Sequence, residues 1–435
     1  MLDIKYAPSV MARGLMHVAL VLALCLSGCA RSLEATVQRH IARVEHGLLH
    51  EIGDSPWKRM TLAERMAYYN VPGVSIAVID DFQISWAKGY GVLDAGSDDP
   101  ITPQTRFQVA SPGKVVVAAA VLHYVEQGVL DLDADVNESL VSWHVPESPY
   151  TAEEKVTLRR LLSHSAGVTV GGFRGYAEDE AIPNLRQILD GAPPANNVPI
   201  RVAAVPGSAL EYSGGGYMIV QQLLEDVIDR PFAEMMEETV LDPWGMTSST
   251  FAWPLPEELW DVAATGHRAD GRPIPGRWHT YPEMGSGASL WSTPSDLARF
   301  AIGVMSAYAG RSDDVLSQEM ARLMLTPQLE SRGLGPVVLD DGGDRFYFMH
   351  PGANDGYKSV LVGYPVRGQG VVIMTNSDGG DALWREILNS VSIEYGWIQD
   401  NTSLYAGVTV VIVLAVVGIL ALRRGRGGPY AGLPA

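Results

Sequence analysis

The segment Phe107-Gln108-Val109-Ala110-Ser111-Pro112-Gly113-Lys114 carries the residue pattern best suited to chemistry. Pro112 fits the first turn of a helix, so Ser111 falls at the helix start and Lys114 one turn on, near enough for their side chains to meet. A serine hydroxyl is a weak nucleophile until a neighbouring base takes its proton, and a lysine can be that base when burial lowers its pKa toward neutrality. The helix start also favours negative charge developing on the reacting atom. A serine and a lysine at this spacing more often mean a helix cap and a solvated lysine, so the pattern needs support from elsewhere in the chain. Glu211-Tyr212-Ser213-Gly214-Gly215-Gly216-Tyr217 supplies it, just ahead of an apolar helical run from Met218 to Ile228. Three glycines let backbone approach closely, and a tyrosine hydroxyl beside an ammonium can relay protons. A third element, His350-Pro351-Gly352-Ala353, precedes a strand that starts at Tyr357. A glycine there lets a substrate lie along the strand edge and pair with main chain.

The elements that must position these groups are readable from periodicity. Leu33, Val37, Ile41, Val44 and Leu48 recur at helical spacing and predict an amphipathic helix from Arg31 to Ile52. Pro72 to Ile79 and Gln83 to Tyr90 read as two strands joined by a tight turn at Asp80-Asp81. From Ser111 to Phe300 the chain is mainly helical, broken by Gly and Pro; examples are Lys114 to Gln127, ended by Gly128, and Leu158 to Ser163, ended near Gly167. Strands return at Tyr357 to Tyr364 and Gly370 to Thr375, followed by a helix around Asp381 to Ser392. Strands at both ends with helices between predict one sheet assembled from distant parts of the chain and flanked by helices, an α/β (α+β) fold.

Both termini are hydrophobic and stand apart from that fold. Met11 and Arg13 precede the apolar run His17 to Leu26, the layout of a secretory signal over residues 1–28. Leu26-Ser27-Gly28-Cys29 resembles a bacterial lipobox, with cleavage before Cys29 and lipid joined to its thiol; an ordinary signal peptide and an uncleaved anchor are the alternatives. Leu404 to Leu422 holds no charged residue, and its helical length of roughly 28 Å would cross a bilayer core. Arg423, Arg424 and Arg426 mark the following tail, 423–435, as cytoplasmic, which puts residues 29–403 on the outer side. Membrane is thus an expected partner.

Composition narrows the rest. The chain is 47% hydrophobic and 19% charged, as a globular protein with a sizeable core would be. Its formal charge of -18 should repel nucleic acid and anionic lipid. Cys25 and Cys29 are its only cysteines, so the exported domain holds no pair for a disulfide and no thiolate metal site. His164 between two serines reads as a packed or capping histidine, and no Gly-x-Ser-x-Gly elbow is present. His50-Glu51 begins like a zinc-protease motif, but Asp54 stands where the second histidine belongs. Ser286, between two glycines, reads as a turn, and Thr293 with Asp296 as a helix cap.

In order and separation the three elements resemble the penicillin-recognising serine hydrolases, specifically the class C β-lactamase family with its esterase and D-Ala-D-Ala peptidase relatives. Ser111 and Lys114 match that family's Ser-x-x-Lys, Tyr212 to Gly214 its Tyr-x-Asn, and His350 to Gly352 its Lys/His-x-Gly. Leu161 to Gly167, Pro243-Trp244-Gly245-Met246 and Ser292 to Leu297 also resemble family segments, and the likeness runs from about Ala35 to Ser392. The resemblance implies a β-lactamase/transpeptidase-like fold, a sheet region plus an all-helical region with the site between them. It implies acyl transfer through Ser111, with Lys114 and Tyr212 moving the proton. The backbone N–H groups of Ser111 and Ala353 would hold the oxyanion, and no metal or organic cofactor is implied. His350, Gly352 and Gly214 fall at substrate-binding positions. Gly214 replaces the family's asparagine and cannot orient the lysine or bond a substrate amide. His350 replaces a lysine and, neutral near pH 7, is a weaker magnet for a carboxylate. Both departures favour an ester or peptide substrate over efficient β-lactam hydrolysis. The rival reading is an envelope protein that keeps the fold to bind peptidoglycan or a partner.

Overall fold

The computed structural model describes residues 34–49, 59–340 and 342–398. The signal segment, Cys29 and the apolar stretch 404–422 lie outside the described residues, and among those described no helix is long and apolar enough to cross a membrane.

Helix α1 covers residues 34–45 and stops short of the expected Ile52. A Cβ at Gly47 would lie 2.5 Å from the Arg43 carbonyl and 2.6 Å from Ser390 Oγ, so another part of the chain presses on the helix end. The backbone leaves there into strand β1 (Leu48–Leu49), paired with β2 (Arg59–Met60). Helix α2 (Leu62–Tyr68) opens with a reciprocal Thr61/Glu64 capping box. The expected hairpin is present as β3 (Gly73–Asp80) and β4 (Gln83–Gly91). Its loop residues Asp81 and Phe82 both take positive φ, 48° and 59°, as a two-residue turn matched to strand twist requires.

Strand β5 (Phe107–Gln108) leads into α3 (Gly113–Glu126), which is buried from Gly113 to Leu122 and, over that span, apolar on every face but for Lys114. The helical region continues through α4 (Leu158–Leu162), α5 (Leu185–Asp190), α6 (Gly214–Ile228) and α7 (Phe232–Met236). Then follow β6 (Trp291–Ser292), α8 (Pro294–Tyr308), α9 (Gln318–Met324), β7 (Val337–Asp340), β8 (Phe346–Asn354), β9 (Tyr357–Tyr364), β10 (Gln369–Thr375) and α10 (Gly380–Glu394). The main sheet is antiparallel with strand order β4-β3-β10-β9-β8-β7, so the amino-terminal hairpin is closed against the carboxy-terminal strands.

Both faces of this sheet are covered. Val74, Ile76 and Val78 of β3 point with Val371 and Ile373 toward Leu383, Ile387 and Val391 of α10 and Ile41 and Val44 of α1. The alternate residues Ala77, Ile79, Val372 and Met374 join Leu297, Phe300 and Val304 of α8. Two covered faces explain why these strands read as continuous apolar runs instead of alternating ones.

Strand β8 departs from the sequence reading, which placed His350-Pro351-Gly352 before a strand. The motif is inside one. Strand β7 pairs with β8 only as far as Met349, so beyond that point β8 has a strand neighbour, β9, on one side alone. A proline is tolerated in a strand where its missing N–H faces an open edge.

Candidate active site

Ser111 is presented by a strained turn. Ala110, 2% exposed, takes φ 59° between β5 and α3, a left-handed conformation unusual for alanine. The turn is closed by bonds from the Gly113 and Lys114 N–H groups to the Ala110 and Ser111 carbonyls, both 2.9 Å. Lys114 is buried, and its Nζ lies 3.3 Å from Ser111 Oγ while donating to the Ser286 carbonyl at 2.7 Å. The ammonium also faces the rings of Tyr212 and Tyr217, 5.1 and 5.7 Å from their centroids. No carboxylate partners it among the described residues.

Tyr212 comes from the other side. Its hydroxyl lies 2.8 Å from Ser111 Oγ, across 101 residues of sequence. Ser213 caps α6 by accepting from the Gly216 N–H at 2.8 Å and donating to the Thr169 carbonyl at 2.9 Å, which fixes the backbone next to Tyr212. His164 is the packed histidine expected, and it has a job. Its Nδ1 accepts the Ser213 N–H at 3.1 Å and its ring lies against Tyr212, centroids 4.3 Å apart. Burial first, then the charges of Arg332 and Lys114, hold its pKa well below the ordinary histidine value.

The third wall is β8. A Cβ at Gly352 would lie 2.2 Å from Ser359 Oγ, 2.5 Å from the Val109 carbonyl and 2.6 Å from Pro112 Cδ, so only glycine lets the strand approach the serine turn this closely. His350 is fully enclosed. Its Nδ1 donates to the Pro351 carbonyl at 2.7 Å, leaving Nε2 a buried acceptor without a donor. Burial, with Arg332 and Lys114 nearby, brings its pKa down to about 3, so it is neutral at any physiological pH. Asn354 braces the strand end through Gln108 Oε1 at 2.8 Å and the Ala288 carbonyl at 2.9 Å.

Ser111, Lys114, Tyr212, His350, Gly352 and Ala353 therefore line one cleft of about 480 Å³, a size suited to a small ligand. Gly214 does not line it. A side chain begun at Gly214 would meet Phe173 Cε2 at 3.1 Å and the Gly171 carbonyl at 3.2 Å, because the 171–173 loop stands between that position and the cleft. Sequence reasoning missed three contributors: the Ser286 carbonyl that receives Lys114, the His164 brace, and Arg332, whose guanidinium lies over the Tyr212 ring at 5.4 Å. The first two left a trace, as a turn serine and a packed histidine. Arg332 left none.

The fold and cleft together define the class: a penicillin-binding-type α/β domain with a serine at the mouth of the helical region. The chain belongs to the beta-lactamase family, whose model matches residues 59–389. It is 28% identical over 350 residues to penicillin-binding protein 4 of Amycolatopsis lactamdurans, covering 74% of this chain and 87% of that one. It is 23% identical over 396 residues to unguisins hydrolase ungD of Aspergillus violaceofuscus, covering 79% of this chain but only 66% of the fungal protein. Among solved structures it resembles the octameric penicillin-binding protein homologue of Pyrococcus abyssi, with TM-score 0.63, 25% identity, and 77% and 76% of the two chains covered.

Proposed function

We propose that this protein is a serine hydrolase that cleaves ester or amide bonds through a covalent acyl-enzyme. The observation that carries the reading is the convergence of Tyr212 Oη and Lys114 Nζ on Ser111 Oγ, at 2.8 and 3.3 Å. Ser111 Oγ bonds to the substrate carbonyl carbon as its proton passes into the Lys114/Tyr212 pair, which returns that proton to the leaving alkoxide or amine. The N–H groups of Ser111 and Ala353 hold the tetrahedral oxyanion, and water then takes the place of the leaving group to release the acid. A neutral His350, a weak magnet for a carboxylate, favours short esters or peptide-like amides over rapid β-lactam turnover. The apolar stretch 404–422 and the residues before Cys29 support an address at the outer face of the cytoplasmic membrane, and mass spectrometry of the mature amino terminus tests the lipid at Cys29.

The deciding test is labelling by a fluorophosphonate. Wild-type protein should be modified on Ser111 and Ser111→Ala should not. A folded wild-type sample that stays unlabelled would refute the hydrolase reading and favour an envelope binding protein. Run side by side, 4-nitrophenyl acetate should be turned over and nitrocefin slowly or not at all; fast nitrocefin hydrolysis would overturn the substrate preference.

A further inference from the structure

Both ends of the folded domain leave it at the same place. Helix α1 runs antiparallel to α10. Ser390 Oγ donates to the Val44 carbonyl at 3.0 Å, and one turn further along α10 Glu394 Oε1 lies 2.6 Å from His40 Nδ1, with the Tyr395 ring stacked on His40. As α10 advances α1 recedes, so the start of α1 at Glu34 falls level with the end of the described chain at Ile398. The turns of the main sheet gather at that end. Arg367, in the turn between β9 and β10, donates to the Gly396 and Asp344 carbonyls, both at 3.1 Å. The Phe82 N–H, in the turn between β3 and β4, donates to the Gly368 carbonyl at 2.8 Å, and Trp397 Nε1 donates to Gln369 Oε1 at 2.8 Å. Val366 and Ile398 stand out from this surface, 55% and 46% exposed. A single exposed aliphatic side chain is ordinary, so these two matter only through where they stand.

The cleft is at the other end of the sheet. Helix α10 starts there, with Asp381 and Arg385 on the cleft wall, and Gly352, packed on the serine turn, pairs with Ser359 near the start of β9. From Ser359 along β9 to the turn at Val366 is roughly 20 Å, at about 3.4 Å per strand residue. The rest of the chain points the same way. Four residues, 30–33, separate Cys29 from α1, and five, 399–403, separate Ile398 from the apolar stretch 404–422. Even fully extended, these connections reach no more than about 18 and 22 Å. We propose that the turn end is the membrane-facing surface of the protein, with a lipid bilayer as its partner, and that the sheet stands on it and holds Ser111 roughly 20 Å beyond the headgroups. The inference rests on the membrane address proposed above for the stretch 404–422. It also restricts the substrate class: the ester of a bilayer lipid is out of reach, and the bond that Ser111 attacks belongs to a molecule in the aqueous layer outside.

The experiment uses the full-length chain with Cys25→Ser and Cys29→Ser, so that an added cysteine is the one labelling site, reconstituted in vesicles of phosphatidylethanolamine and phosphatidylglycerol. Val366→Cys puts a bimane dye at the turn end. Arg272→Cys puts it at the cleft end, in the exposed loop whose Arg268 pairs with Asp355 beside β9. With a nitroxide carried on the lipid headgroup, the dye at the first position should be quenched at least about fivefold more than at the second, since roughly a strand's length separates them. Equal quenching, or stronger quenching at the cleft end, would overturn the proposal. Ile398→Cys repeats the measurement at the turn end should Val366→Cys fail to fold. Flotation of the same vesicles separates the two claims: a chain that floats but is quenched equally refutes the orientation alone, whereas one that does not float refutes the membrane address and the orientation with it. Vesicle-bound protein that turns over 4-nitrophenyl acetate should release no fatty acid from the vesicle lipid, and such release would refute the stand-off of the cleft.

Discussion

Buried charge is handled in opposite ways on the two sides of the main sheet. On the far side, Arg65 of α2 meets Glu386 of α10 through Nε and Nη2 at 2.7 and 2.8 Å, and the Tyr69 hydroxyl donates to the same carboxylate at 2.7 Å. Both charged side chains are about as enclosed as any in the molecule, 2% and 1% exposed, and both are paired. On the cleft side, Arg332 Nη1, His350 Nε2, His164 Nε2 and both oxygens of Glu283 are buried without partners. Buried polar groups without partners are rare in folded proteins and each costs free energy. The far side uses charge to lock two helices together across 321 residues of sequence. On the cleft side these groups stay without protein partners, and two of them, Arg332 and His350, belong to residues that line the cleft.

If that contrast holds, the same kind of substitution should have opposite consequences in the two places. Lys114→Ala should give the largest effect, lowering kcat/KM for a 4-nitrophenyl ester ~10³-fold or more, close to the loss in Ser111→Ala because the residues act as one unit. Its melting temperature should stay level or rise, since the variant removes a buried ammonium with no counter-charge. Near-normal turnover in Lys114→Ala would break the catalytic half of the comparison. Glu386→Ala comes next and reverses the pattern. It strands Arg65 and should cost about 3–5 kcal/mol in urea unfolding, with kcat per folded molecule unchanged. A loss under about 1 kcal/mol would show that the far-side pair is not the lock its geometry indicates.

The uneven legibility of the molecule follows from the same division. Ser111 and Lys114 could be read because three residues on a helix is a local distance, and the hairpin over Gly73 to Gly91 could be read because turn chemistry and strand pattern agree. Tyr212 became readable only through its glycine-rich neighbours, since its partner is 101 residues away. Strand β8 was hidden by Pro351 and Gly352, which break strand pattern and are admissible only because β7 ends at Met349. That Gly214 lies outside the cleft lining could not be read, because nothing local to that residue reveals the 171–173 loop in front of it. Arg332 was invisible: a single arginine in a turn looks like any solvated arginine until the fold brings Tyr212 beneath it.

Glu283 gives the finest test of the comparison. It lies in the loop whose Ser286 carbonyl holds Lys114, its own carbonyl accepts from Ser286 Oγ at 2.7 Å, and burial pushes its carboxyl up to about 8. An acid whose folded pKa stands above its unfolded value of 4.5 keeps its proton in the fold while the unfolded chain releases it. Stability therefore falls as pH rises from about 4.5 to 8 and levels off beyond, with a slope of at most ~1.4 kcal/mol per pH unit from this one group. Glu283→Gln has no proton to lose. The variant and the parent should match near pH 4.5, and by pH 8 the variant should be the more stable by a few kcal/mol, in urea unfolding followed at both pH values. His164 and His350, kept neutral in the fold, remove stability as pH drops below 6.5, but they do so equally in both proteins and cancel in the difference. A constant offset between the two proteins across that pH range would mean that Glu283 ionises freely in the fold, and that the loop behind Lys114 is as well solvated as an ordinary surface turn.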